Sequence, residues 1–218
     1  MLLDLDGTLL DTAPDIAAAA NAMLDELEMA RVAGGAVREF IGQGIAHLVQ
    51  RCLAASAGAP PSDSLLESAL ARFSRHYERE NGRHVQVYPG VREGLALMRA
   101  RGLRLACVTN KAARFTEPLL AAAGLAGFFD AVVSGDTTAR RKPDPLPFLH
   151  ACALLGAPPE QVVVIGDSAN DAQGARAAGC AVLLVPYGYR EGMDVRAIEC
   201  DGIVATLQDA AMLLTAHT

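Results

Sequence analysis

The sequence predicts an α/β fold: a parallel sheet covered by helices on both faces, with an all-helical subdomain inserted after the first strand. Three observations predict it. From residue 91 to residue 185, helical patterns alternate with short β-branched and aliphatic runs, as for strands buried on both faces. Residues 15–82 carry helical patterns with no strand pattern between them. The chain also opens with an apolar pair, Leu2 and Leu3, that runs into Asp4-Leu5-Asp6-Gly7-Thr8, a strand ending in a tight polar loop. That strand belongs with the later ones, so the helical stretch interrupts a sheet already begun. The expected division is a core of residues 1–14 and 83–218 with a cap of residues 15–82.

Each element has a local reason. Pro14 and Asp15 are helix-start residues, and the alanine-rich stretch that follows continues as a helix over 16–27. A second helix is expected over 37–53 and a third over 64–77, separated by the Gly-Ala-Pro-Pro loop that begins at Gly58. The block ends near Asn81-Gly82. After Tyr88-Pro89-Gly90 come helix 91–101 and strand 103–108, then helix 112–123 and strand 129–133. Helix 146–155 leads to strand 162–165, and helix 169–178 to strand 181–185.

Composition excludes several classes. With 218 residues, 51% of them hydrophobic, the chain has ample material for a core. Lysine and arginine number 19 against 25 acidic residues, a net charge of -6 with no basic run, which argues against nucleic acid or an anionic membrane as the main partner. The five cysteines (Cys52, Cys107, Cys152, Cys180, Cys200) are odd in number and form no C-x-x-C, so neither a disulfide framework nor a zinc site is indicated. No apolar run reaches membrane-spanning length and the start does not resemble a signal peptide, so a cytoplasmic protein is expected, with monomer and homodimer both open.

In a parallel sheet, ligands bind beyond the carboxyl ends of the strands, and this sequence places its polar residues there. Asp4 and Asp6, two residues apart on a strand end, point the same way. Two like charges so close require a cation between them or a proton on one, hence a divalent metal site or an acid/base couple. Strand 103–108 ends in Thr109-Asn110-Lys111, strand 162–165 ends in Gly166-Asp167-Ser168-Ala169-Asn170-Asp171, and Lys142 lies in the loop 140–145. Singly, each has an ordinary explanation: Thr109 a helix cap, Asp171 a first-turn charge, Lys142 a solvated cation. Their convergence on one crevice points to chemistry.

The set Asp4 to Thr8 (D-x-D-G-T), Thr109, Lys142 before a proline, and Gly166-Asp167 with Asp171 resembles the four motifs of haloacid dehalogenase superfamily phosphatases. The match covers essentially the whole chain. Within the superfamily, Asp11-Thr12-Ala13-Pro14-Asp15, Ile41-Gly42-Gln43-Gly44, Val108-Thr109-Asn110-Lys111 and Tyr187-Gly188-Tyr189 are most similar to bacterial phosphoglycolate phosphatases. The resemblance implies a Rossmann-like core with an α-helical cap, and Mg²⁺-dependent hydrolysis of a small phosphorylated metabolite such as 2-phosphoglycolate. It implies Asp4 as nucleophile, and Asp4, Asp167 and the Asp6 carbonyl as Mg²⁺ ligands with Asp171 just outside. Thr109 and Asn110 would donate to the phosphoryl group and Lys142 would hold the nucleophile ionised. The Asp6 side chain would serve as acid and then base. Superfamily alternatives are a sugar-phosphate phosphatase or a phosphosugar mutase; a non-catalytic phosphometabolite sensor is a further one.

Two expectations concern regions outside the motifs. Gly42 and Gly44 weaken the second cap helix and allow close backbone approach, so this segment is expected over the substrate, with Arg38, His47 or Arg51 meeting the substrate's carboxylate. Only Met1, Leu2 and Leu3 precede Asp4, fewer than the family pattern has. The chain is therefore expected either to start further upstream in nature or to have a short first strand that is wet at its start.

Overall fold

The structure, a computed structural model, describes residues 1–215. Six strands form one parallel sheet in the order β5-β4-β1-β6-β7-β8. They are β1 (Leu2–Leu3), β4 (Ala106–Val108), β5 (Ala131–Val133), β6 (Val163–Gly166), β7 (Ala181–Leu184) and β8 (Gly202–Ile203). In register, Leu2 faces Ala106 and Val164, and Leu3 faces Cys107 and Ile165. The period-2 alternation of strands sends these two triplets to opposite faces.

Helices cover both faces. Leu3, Cys107 and Ile165 pack with Val91, Leu95 and Met98 of α5 (Val91–Ala100), Leu119 and Leu120 of α6 (Ala113–Ala122), and Leu207 and Ala210 of α9 (Leu207–Thr215). Leu2, Ala106 and Val164 pack with Phe148 and Ala151 of α7 (Leu146–Leu155) and Ala172 and Ala175 of α8 (Ala169–Ala178). The β1 pair is fully buried, and the α-amino group of Met1 donates to the Arg104 carbonyl at 2.8 Å. The cysteines are all reduced thiols. Among the described residues no helix is long and apolar enough to cross a membrane.

A third cluster belongs to α1 (Ala13–Glu26), α2 (Gly34–Arg38), α3 (Ile45–Ala57) and α4 (Asp63–Glu80), which bury Met23, Leu24, Val49, Leu53, Phe73 and Tyr77 together. Phe115 and Tyr189 join it from the sheet side. The expected single helix over 37–53 is broken. Residues 39–44 leave the helix between α2 and α3, with Gly42 at φ 135° and Gly44 at φ 87° and ψ 172°, conformations that a side chain resists. Apolar periodicity continues across the break, so the pattern alone suggested one rod.

The chain's two crossings into this block lie side by side. β2 (Leu10–Asp11) and β3 (Gln86–Val87) pair antiparallel, and buried Asp15 accepts from the backbone N–H groups of Gly82 and His84 at 2.8 Å each.

Candidate active site

Three adjacent central strands deliver the site. β1 leads into Asp4, β4 into Thr109 and β6 into Asp167, all at their carboxyl ends. Lys142, on the loop before α7, reaches into the middle. Its ammonium lies 2.7 Å from Asp4 Oδ1 and 2.7 Å from Asp171 Oδ1, and it donates to the Val108 carbonyl at 2.9 Å. Burial disfavours this charge, but Asp171 and Asp4 outweigh it and hold Lys142 above the ordinary lysine range. The Lys142 backbone is fixed in turn by Asn110, whose side chain accepts from its N–H and donates to its carbonyl, each at 3.0 Å.

Asp4, Asp167 and Asp171 place carboxylate oxygens within 4.8 Å of one another. Burial raises the Asp4 carboxyl to about 7; Lys142 opposes the shift, while Asp171 and Asp6 add to it. Burial likewise pushes Asp167 well above the carboxylate range, with Asp171 and Asp4 adding to it. A bound cation would relieve that strain, and glycine backbone packs closely against these carboxylates. A Cβ at Gly7 or Gly188 would overlap Asp167, and one at Gly166 would overlap Asp171. Asp4 Oδ1 is buried and meets Lys142 without the alignment of a hydrogen bond, leaving acceptor capacity for a metal. This all-oxygen donor set fits a hard divalent cation. Asp171 is the more committed member, since its other oxygen accepts from Ser168 Oγ at 2.7 Å in a capping box at the start of α8.

Asp6 faces a different environment. Its carboxylate accepts from Thr12 Oγ1 at 2.6 Å and from Lys111 Nζ at 2.9 and 3.1 Å, turned away from the acidic cluster. Two carboxylates of one loop are thereby separated, one beside Lys142 and one on Lys111. Thr109 Oγ1 accepts from the Lys111 N–H at 3.2 Å, which leaves its own proton to donate. The sequence reading expected Asn110 to donate to a ligand as well. Its amide group instead spans Lys142 and the Gly42 carbonyl, 2.9 Å away, and so joins the site to the helical block.

A family model described as haloacid dehalogenase-like hydrolase matches residues 1–185. The chain belongs to that family. It is 51% identical over 214 residues to a phosphoglycolate phosphatase of Nitrosospira multiformis, covering 98% of this chain and 94% of that protein. A phosphoglycolate phosphatase of Thiobacillus denitrificans is 46% identical over 215 residues, with 99% and 95% covered. Among solved structures, a predicted phosphoglycolate phosphatase from Haemophilus somnus 129PT superposes with a TM-score of 0.93 at 30% identity, covering 98% and 96%. This haloacid dehalogenase-like hydrolase is an enzyme of the phosphoric monoester hydrolase class, similar to those relatives.

Above the carboxylates, the hydrolase has a pocket roofed by the helical block. Ile16, Ile41, Ile45, Leu48, Phe73 and Tyr77 line it from that side, together with Gly42 and Gly44. None of the three expected cap cations is in this lining. Arg38 reaches Asp11 at 3.4 Å and the Tyr187 carbonyl at 3.1 Å and lies over the Tyr189 ring; Arg51 pairs with Glu191 at 3.5 Å. The Nδ1 atom of His47 is buried without a partner.

Three residues that line the hydrolase's pocket were given no role by sequence reasoning. Lys111 stands two positions after Thr109, so the same alternation that selected Asp4 and Asp6 could have flagged it. Tyr189 accepts from the Thr12 and Ala13 N–H groups and donates to Asp11, capping α1, while its own N–H holds Asp167 at 2.6 Å. Tyr77 gave no signal, because Ala69, Phe73 and Tyr77 read as an ordinary core stripe at helical spacing.

Proposed function

We propose that this protein hydrolyses a small phosphate monoester, with 2-phosphoglycolate as the preferred substrate, through an aspartyl-phosphate on Asp4 and with Mg²⁺. One observation carries the reading: buried Asp4, beside Lys142 and Asp167, is followed two residues later by a second carboxylate held separately by Lys111 and Thr12. A site that merely binds phosphate needs no nucleophile with its own acid.

In this reading Asp4, Asp167 and the Asp6 carbonyl hold Mg²⁺, with Asp171 behind them. When bound, the ion supplies the charge neutralisation that lets a carboxylate approach a phosphate dianion. Asp4 forms a bond to phosphorus as the ester P–O bond breaks, and Asp6 delivers a proton to the departing alkoxide. Asp6 then takes a proton from the water that cleaves the aspartyl-phosphate, which frees inorganic phosphate and restores Asp4. Thr109 donates to the phosphoryl oxygens and Lys142 keeps Asp4 ionised. Helices α1–α4 act as a cap of residues 15–82 over a core of 1–14 and 83–218. Its turn at Gly42 and Gly44 closes on the sheet edge and limits water at the site.

Two lines support the small substrate. The cap lining is largely aliphatic and offers little to sugar hydroxyls. The relatives at 51% and 46% identity are phosphoglycolate phosphatases. The test is phosphate release from 2-phosphoglycolate beside a panel of sugar phosphates and nucleotides, with Mg²⁺ and with chelator. Chelator-sensitive turnover that prefers 2-phosphoglycolate and is absent in Asp4→Asn is the expected result. Equal rates across the panel would remove the named substrate, and no release from any ester would remove the enzymatic route.

A further inference from the structure

We infer that Lys111 and the Tyr77 hydroxyl form the subsite for the carboxylate of the substrate, an inference that rests on the 2-phosphoglycolate reading above. A carboxylate carried into a buried pocket needs a compensating charge or donors of its own, because Lys142 and the acidic cluster serve the phosphoryl end. Among the described residues lining the pocket, Lys111 and Lys142 are the two cationic side chains.

Two independent observations single out this corner. The Lys111 side chain is 4% exposed, and its ammonium, which has three donors, contacts the two oxygens of Asp6 and lies 4.9 Å from the centre of the Tyr77 ring. The Tyr77 hydroxyl is buried and makes no well-aligned hydrogen bond, its polar neighbour being the Lys111 ammonium, although the residue lines the pocket. A buried hydroxyl left without a well-aligned partner in a native structure requires an explanation, and a ligand oxygen is one. The ring cannot turn away to find another partner. It stacks on Phe73 at 5.5 Å and packs against Phe115 at 4.9 Å, which fixes the direction of the C–O bond.

The geometry gives the carboxylate a cation from the core and a hydroxyl donor from the helical block. A ligand lacking it leaves the Tyr77 hydroxyl with only the Lys111 ammonium beside it. Closure of the block is then rewarded by the carboxylated substrate and not by a plain alkyl phosphate. Specificity arises because a polar site rejects an analogue that cannot pair with it.

The test compares 2-phosphoglycolate with ethyl phosphate, which keeps the ester and lacks the carboxylate. Affinities are measured calorimetrically with Mg²⁺ in the non-turning Asp4→Asn background, and kcat/KM is measured with Asp4 intact. Tyr77→Phe, which keeps both ring contacts, is expected to lower the ratio of 2-phosphoglycolate to ethyl phosphate roughly tenfold, and Lys111→Gln roughly a hundredfold, in both measurements. If the parent discriminates and both variants keep its ratio, the subsite is wrong while the substrate reading stands. A parent that treats the two esters alike overturns the substrate reading, and this inference with it.

Discussion

Asp4 and Asp6 are two positions apart and chemically unlike. Asp4 is pushed up to about 7 by burial, whereas the Asp6 side chain lies against Lys111 and takes a hydrogen bond from Thr12. Under the proposed mechanism, that division would let one loop hold a nucleophile and a proton carrier. Replacing Asp6 by asparagine keeps an acceptor for Thr12 and Lys111 but removes the transferable proton. Turnover of the preferred ester is expected to fall roughly a hundredfold to ten-thousandfold with little change in affinity, as read by kcat and by calorimetric binding. Parent-level turnover in Asp6→Asn would end its assignment as acid and base. The glycines around Asp167 make a second residue-scale point: side chains there would occupy the space in which the carboxylates sit.

At the scale of elements, the decisive one is the break between α2 and α3. Gly44 precedes the first turn of α3 in a region of backbone space that is nearly exclusive to glycine, and Arg141 stands 3.0 Å from where a Cβ would go. Gly44→Ala is expected to cost about 1–3 kcal/mol in denaturant unfolding and to raise KM more than it lowers kcat, since the turn contacts ligand space rather than the reacting carboxylates. An unchanged midpoint and KM would show that the turn tolerates a side chain. This break was hidden in the sequence because Val37, Phe40, Ile41, Leu48 and Val49 keep apolar residues coming at helical intervals. The glycines signalled a weakness without saying where the chain would turn. β2, β3 and β8 escaped for another reason: two-residue strands carry no period to detect, and their pairing is set by distant partners. α9 was not anticipated either, although its Leu207 and Ala210 are fully buried against α5.

For the whole molecule, the alternation of helix and strand from residue 91 onward was legible, and so were the motifs that β1, β4 and β6 bring together. Their convergence needed only the rule that parallel strands end on one edge. The pocket roof was not legible, because its residues come from separate helices whose packing no local pattern reveals. The assembled acidic cluster has a consequence for stability. Asp4 and Asp167 hold protons more tightly folded than unfolded, so without a cation stability falls as pH rises from the ordinary carboxylate range, about 4, through about 7 for Asp4. A divalent cation bound at the cluster would offset this penalty. The rise in Tm on replacing chelator with Mg²⁺ is therefore expected to be small at pH 5 and larger, by several °C, at pH 8. In Asp167→Asn the chelator Tm at pH 8 should increase and the Mg²⁺ response should shrink. A Mg²⁺ response independent of pH would contradict the linkage.

The ribbon of β2 and β3 bears on how such a molecule can be taken apart. Leu10 sits opposite Val87 and Asp11 opposite Gln86, so the helical block hangs from the open end of what is otherwise a hairpin. A tight turn placed between Asp11 and Gln86 would close that hairpin, since loop entropy changes slowly with loop length. Phe115 and Tyr189, which the block covers, would need polar replacements. The shortened chain would keep Asp4 and Asp167 at the ends of the same strands, and Lys142 on its loop, while losing its roof. It would keep Lys111 but lose Tyr77, so its preference among phosphate esters is expected to weaken without vanishing.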